Sequence, residues 1–193
     1  TNSGYGTTSG ELMCDENTPL NPISLYGKLK KESEEIIMTR ENSISFRLAT
    51  VFGVSPRHRI DLLVNDFVYK AYNDGYLVLF EKHFKRNYIH LKDVSDGFLF
   101  AIQNFDNLKG NSFNLGLSEA NLSKHELALK IQQYIKKVLI LSSEFKEDPD
   151  KRNYIVDNSK IESKGFKAKI TLDEGIKELI KFYSISKNSN KNV

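Results

Sequence analysis

Residues 24–53 read SLYGKLKKESEEIIMTRENSISFRLATVFG, and their reading decides the fold. The first half, Ser24 to about Arg40, is predicted to be a helix. Ile36 and Ile37 fall on a different face from Glu34 and Glu35. Pro22 stands shortly before it, at a turn-rich entry. The second half, residues 43–53, is β-branched and aromatic and stops at Gly53, the pattern of a buried strand. Helix followed by buried strand is the unit of an α/β protein, and the rest of the chain repeats the alternation. A helix is predicted over 61–73, with Leu62, Leu63, Phe67, Val68 and Ala71 as its apolar stripe. Residues 76–80 (YLVLF) and 86–91 (RNYIHL) read as short strands, 92–105 as an amphipathic helix and 112–117 as a strand. Residues 123–138 read as a strong helix, in which Ser123 and Glu126 have the spacing of a capping box. A last helix covers 173–183, and no internal repeat interrupts the order.

The composition excludes several function classes. A length of 193 residues suits one compact domain with its own core. Charged residues make up 27% and the net charge is only +3, with both signs interspersed, so no nucleic-acid partner is expected. No apolar run approaches the roughly 18 residues of a membrane helix, and no stretch reads as a signal peptide. The single cysteine, Cys14, excludes an internal disulfide and suits a reducing, cytoplasmic setting. His58 and His83 lack metal-ligand spacing and His90 reads as structural, so no metal is expected. Residues 185–193 are predicted to be a disordered tail.

The candidate chemistry starts from Tyr-x-x-x-Lys, which the chain contains as Tyr26/Lys30, Tyr88/Lys92 and Tyr183/Lys187. On a helix, residues four apart are neighbours, with Cβ atoms about 5–6 Å apart. On a strand they are roughly 13 Å apart. Tyr88 lies in a strand-like run and Tyr183 near the tail, so only Tyr26/Lys30 has a helix to hold it. A free phenol titrates near 10, about 3 units above the range where a general base works best, a gap of roughly 4 kcal/mol. An ammonium about 5 Å away supplies roughly 3.3 kcal/mol at an effective dielectric of 20. Spacing alone still leaves open an exposed aromatic beside a solvated lysine.

Five pieces in register carry a resemblance: TNSGYG (1–6), PISLYGKLK (22–30), FRLATVFG (46–53), FKRNYIHLKDV (84–94) and FNLG (113–116). Together the chain resembles the extended short-chain dehydrogenase/reductases, and within them the NAD-dependent epimerase/dehydratase family that works on nucleotide sugars. The match runs from Thr1 to about Tyr183. The resemblance implies that Thr1, 25 residues before Tyr26, hydrogen-bonds the reacting sugar hydroxyl. It implies that Tyr26 takes the proton and that Lys30 holds the nicotinamide ribose and lowers the tyrosine pKa. Tyr26 and Lys30 are thereby also the cofactor contacts. Arg86 and Arg152 are implied to pair with the nucleotide diphosphate, and Asn114 and Thr50 to contact the substrate. Thr50 stands where many relatives have Asn, and Leu25 where proline is frequent before the tyrosine.

The implied fold is the second half of a Rossmann-like doubly wound parallel sheet with a small α+β substrate-binding region. Residues 1–53 would belong to the NAD-binding domain and 54–184 mostly to the substrate region, with 91–116 returning to the Rossmann domain. The family's Gly-x-x-Gly-x-x-Gly loop is absent from the 193 residues. The chain therefore reads as the carboxyl-terminal part of a longer protein, with roughly 110–130 residues preceding it. By itself it is expected to bind NAD weakly and to be inactive. The cofactor of the whole protein is implied to be NAD rather than NADP, and its assembly a homodimer through the Ser24–Arg40 helix. Dehydratases of the family follow the catalytic Thr with Asp-Glu. Here Asn2 and Ser3 stand there, and neither exchanges a proton as a carboxyl does. The expected reaction is therefore epimerisation, typically at sugar C4. A nucleotide-sugar ketoreductase, a 4,6-dehydratase or a non-catalytic relative remain as alternatives.

Overall fold

The computed structural model describes residues 1–8, 12–143 and 152–189. A 3-10 turn, Asn2–Tyr5, opens the chain, and β1 (Met13–Cys14) follows. Helix α1 (Leu25–Met38) is capped by Ser24, whose hydroxyl accepts from the Gly27 amide at 3.1 Å. Next come β2 (Ile44–Leu48), β3 (Thr50–Phe52), α2 (Leu63–Asn73), β4 (Tyr76–Phe80) and β5 (Lys85–His90). Then follow α3 (Leu91–Gln103), the short α4 (Phe105–Leu108), β6 (Asn111–Leu115), β7 (Asn121–Ser123) and α5 (Lys124–Tyr134). The chain ends with β8 (Leu139–Ser143), β9 (Ile155–Val156), α6 (Ser159–Ser163) and α7 (Leu172–Ser189). The fold is mixed α/β, with mainly parallel pairing. β1 pairs with β9, β2 with β6, β3 with β5 and β4 with β8, all parallel, and β7 joins β5 antiparallel.

The expected single strand over 43–53 is two strands. The ladder from β2 to β6 runs through Phe46 opposite Phe113 and ends where the Ala49 amide donates to the Leu115 carbonyl at 2.9 Å. One residue later Thr50 stands opposite Tyr88 on β5. The chain changes partners at Ala49, and a crevice opens where neighbouring strands diverge. Strand β8 and its pairing with β4 are absent from the sequence reading. The capping box is present: the Ser123 hydroxyl accepts from the Glu126 amide at 3.2 Å, and the Ser123 amide donates to the Glu126 carboxylate at 2.7 Å. Helix α7 continues to Ser189, into the stretch read as a tail; residues 190–193 lie outside the described residues.

The main core joins Phe52, Val68, Ile89, Phe113, Leu115, Ile131 and Leu179, each fully enclosed. Burying side chains of this size stabilises by about 1.5–3 kcal/mol each. A smaller cluster, Tyr5, Cys14, Tyr154 and Val156, lies beneath the opening turn. Helix α1 is held differently. Gly27 is its one buried residue, while Leu25, Leu29, Ile36 and Ile37 are exposed.

Candidate active site

A cavity of about 570 Å³ lies over the strand divergence, with Leu48, Ala49, Thr50 and Val51 in its lining. Thr1, Ser3, Tyr26, Lys30 and Arg152 also line it. Ser24 starts α1 so that Tyr26 and Lys30 lie one turn apart, and Lys30 Nζ stands 5.8 Å from the Tyr26 ring centre. Thr1 Oγ1 donates to Ser3 Oγ at 3.3 Å, and the Ser3 amide points back to Thr1 Oγ1 at 3.4 Å. Arg152 donates to the same Ser3 hydroxyl. A hydroxyl pair, a phenol, an ammonium and a guanidinium thus share one wall. No carboxylate lines this cavity among the described residues.

The three tyrosines of the repeated spacing differ sharply. Tyr26 is 55% exposed, and its phenol makes no hydrogen bond among the described residues. Tyr88 is enclosed in β5 with no hydrogen-bond partner for its hydroxyl among the described residues, and burial pushes that phenol up. Tyr183 is enclosed in α7. Its hydroxyl donates to the Asn65 carbonyl at 3.1 Å and meets His58 Nε2 at 2.7 Å, and burial raises it too. Of the three, Tyr26 is the one that opens on the cavity.

Two expected substrate contacts stand elsewhere. Arg86 is 2% exposed; its guanidinium donates to the Lys85 carbonyl at 2.9 Å and lies 5.4 Å from the Tyr154 ring centre. Tyr154, not Arg86, lines the cavity. Asn114 is wholly enclosed. Its Oδ1 accepts from the Tyr5 hydroxyl at 2.7 Å, and its Nδ2 donates to the carbonyls of Cys14 at 3.2 Å and Asp157 at 2.9 Å. These bonds use its side chain as a brace between β6 and the neighbouring loops, and it does not reach the cavity. The sequence reading did not assign Arg59, Leu62 or Tyr154 to the lining. Arg59 is placed by Asn65, whose Nδ2 donates to the Arg59 carbonyl at 2.9 Å and whose Oδ1 accepts from the Gly53 amide at 3.0 Å. That clamp joins residues six and twelve apart, beyond what local sequence pattern carries.

A family model described as the NAD dependent epimerase/dehydratase family matches residues 1–116. The chain belongs to this family. Among curated proteins, one from Methanocaldococcus jannaschii named "Putative UDP-glucose 4-epimerase" is 28% identical over 206 residues, covering 98% of this chain and 63% of that protein. Among solved structures, a UDP-glucuronic acid 4-epimerase from Bacillus cereus, in complex with a fluorinated UDP-sugar and NAD, superposes with a TM-score of 0.82 at 20% identity, covering 96% of this chain and 60% of that one. A dTDP-glucose 4,6-dehydratase from Bacillus anthracis in complex with NAD gives 0.78 at 20% identity, covering 97% and 61%. These likenesses show a Rossmann-like extended short-chain dehydrogenase/reductase fold. The chain spans about three fifths of the length of the relatives it matches. No helix among the described residues is long and apolar enough to cross a membrane.

In this epimerase/dehydratase chain a buried ion pair stands directly behind the site. Arg47 Nη2 and Nε donate to the Glu34 carboxylate at 2.8 and 3.0 Å, and Ser112 Oγ donates to it at 3.0 Å. Burial alone would raise the Glu34 carboxyl, but Arg47 and Ser112 outweigh it and hold it below the usual carboxylate range. A depressed folded-state pKa contributes stability above the ordinary value of about 4.3 and loses it as pH falls through the folded value. Glu34→Gln is therefore expected to cost about 3 kcal/mol at pH 7, because it strands a buried guanidinium. The gap to wild type should narrow as pH falls through that folded value, as urea unfolding at pH 7 and in acid would show.

Proposed function

We propose that this chain supplies the catalytic and substrate-binding part of an NAD-dependent nucleotide-sugar epimerase acting at sugar C4. The observation that carries this reading is the cavity wall itself: Thr1, Tyr26 and Lys30 together, with no carboxylate beside them among the described residues. The half-exposed phenol and its neighbouring ammonium leave an open face against which the nicotinamide end of NAD fits. A glycine-rich loop for the pyrophosphate is not in this sequence, so Tyr26 and Lys30 address the nicotinamide ribose end. NAD, when bound, supplies a reversible hydride acceptor. Thr1 holds the reacting hydroxyl, and Tyr26 takes its proton and returns it. Lys30 sets a positive charge one helical turn along, 5.8 Å from the Tyr26 ring centre. Thr50 and Arg152, both in the cavity lining, contact the nucleotide sugar; a guanidinium fork suits phosphate oxygens. Elimination of water needs a carboxyl acid and base, and none lines this wall among the described residues. The homodimer and the cytoplasmic setting belong to the same reading, supported by the exposed apolar side of α1 and the lone cysteine.

The test is to incubate the full-length protein with NAD and a panel of nucleotide sugars and read the products by NMR. The C4 epimer without net NADH supports the reading. NADH-dependent reduction of a ketosugar would make the protein a ketoreductase, and binding without turnover would make it a non-catalytic relative. Lys30→Met should lower turnover by about 10- to 100-fold, through loss of the cation that accompanies Tyr26 on the same helix face.

A further inference from the structure

One enclosed guanidinium touches both segments that carry the candidate chemistry. Arg47 lies on β2, and its Nε and Nη2 grip Glu34. Its Nη1 donates to the Tyr5 hydroxyl and to the Glu16 carbonyl, each at 3.1 Å. Glu34 stands one turn beyond Lys30 on α1, which stands one turn beyond Tyr26, so the three lie along one helix face. Tyr5 closes the turn that Thr1 caps. Burial pushes the Tyr5 phenol up to about 12 against the opposing pull of Arg47 and Asn114, so it stays protonated and is held on both sides. The large apolar residues of α1, Leu25, Leu29, Ile36 and Ile37, are exposed, and Gly27 is its one buried residue.

We propose that Arg47 is a positioning residue that sets the Thr1 turn against the Tyr26/Lys30 helix by holding Tyr5 and Glu34 in one rigid fork. This rests on the reading of Thr1, Tyr26 and Lys30 as the reacting groups. A buried ion pair is weak evidence for stability, because a well-packed apolar replacement often serves as well. A planar fork with fixed donor directions serves geometry, and a lysine in its place keeps the charge but not the angles.

The experiment compares Arg47→Lys, Tyr5→Phe and the core variant Ile131→Ala in the full-length protein labelled with ¹³C at the tyrosine Cζ. The Tyr26 signal is assigned by its loss in Tyr26→Phe. With NAD and UDP-glucose as the probe, kcat and KM are measured well below each unfolding midpoint. Arg47→Lys is expected to shift or broaden the Tyr26 signal and to lower kcat 10- to 100-fold with KM changed less than threefold. Tyr5→Phe should do the same more weakly, and it decides the matter should Arg47→Lys not fold. Ile131→Ala, destabilised but remote, should leave the Tyr26 signal and kcat in place. An unmoved Tyr26 signal in the folded Arg47 and Tyr5 variants, or an equal shift in Ile131→Ala, overturns the proposal. If Arg47→Lys keeps full kcat while Tyr26→Phe is inactive, the positioning role alone fails. If Tyr26→Phe keeps full kcat, the reading of the site fails instead.

Discussion

Under the proposed function, Tyr26→Phe should lower turnover of the full-length protein by about 10³-fold while nucleotide-sugar affinity stays within a fewfold. The size is that of losing a positioned general acid–base group, typically 10²–10⁴-fold. The structure makes the result interpretable. The Tyr26 hydroxyl bonds to nothing among the described residues and the side chain is half exposed, so deleting one oxygen should move stability by less than about 0.5 kcal/mol. A lost activity then reports chemistry rather than unfolding. The other two tyrosines supply internal controls. Tyr88→Phe removes a buried hydroxyl with no partner among the described residues, so turnover and folding should be preserved. Tyr183→Phe breaks bonds to His58 and Asn65 and should cost about 1–3 kcal/mol of stability with the chemistry kept. Steady-state kinetics beside thermal unfolding separates the three. Full turnover in Tyr26→Phe would remove the phenol from the mechanism and with it the proposed function.

What the sequence discloses and what it hides follow from the range of the interactions involved. Helix α1 and the capping box at Ser123 are set by residues within four of one another, and pattern reading finds them; the Ser24 cap is as local, but that reading put Ser24 inside the helix. The family resemblance adds Thr1, which spacing cannot single out. The break at Ala49 is invisible because an apolar run shows that a strand is buried and not which neighbours it takes. Arg47 did carry a signal: a charged residue inside a run read as a buried strand must find a partner there. Its partners Glu34 and Tyr5 lie 13 and 42 residues away, so only the folded chain names them. Asn114 shows the opposite relation between motif and fold. A motif position suggested a ligand contact, and the fold uses the same amide to brace three segments.

The largest effect on folding is expected at Gly6, the residue that ends the Thr1 turn. Its backbone sits at φ 70°, ψ −127°, a region that glycine adopts freely and L-residues reach only with strain of about 1–3 kcal/mol. A Cβ there would also fall inside the contact distance of the Asn21 carbonyl oxygen, a main-chain atom that cannot rotate away. Overpacking of this kind adds about 1–3 kcal/mol. Gly6→Ala should therefore destabilise by roughly 2–6 kcal/mol, a drop of about 5–20 °C in Tm for a chain of this size. Gly75→Ala separates the two causes. Gly75 has φ 78° but no atom within 4 Å of the added methyl, so it carries the strain without the collision and should cost only about 1 kcal/mol. The difference between the two variants measures how rigidly Asn21, on the approach to α1, is held against the end of the Thr1 turn. Should Gly6→Ala lose no more than Gly75→Ala, that approach gives way easily, and the turn and helix are not fixed to one another at this point. Arg47 would then have to hold the two apart from any steric stop, and Arg47→Lys should become the more damaging of the changes to kcat.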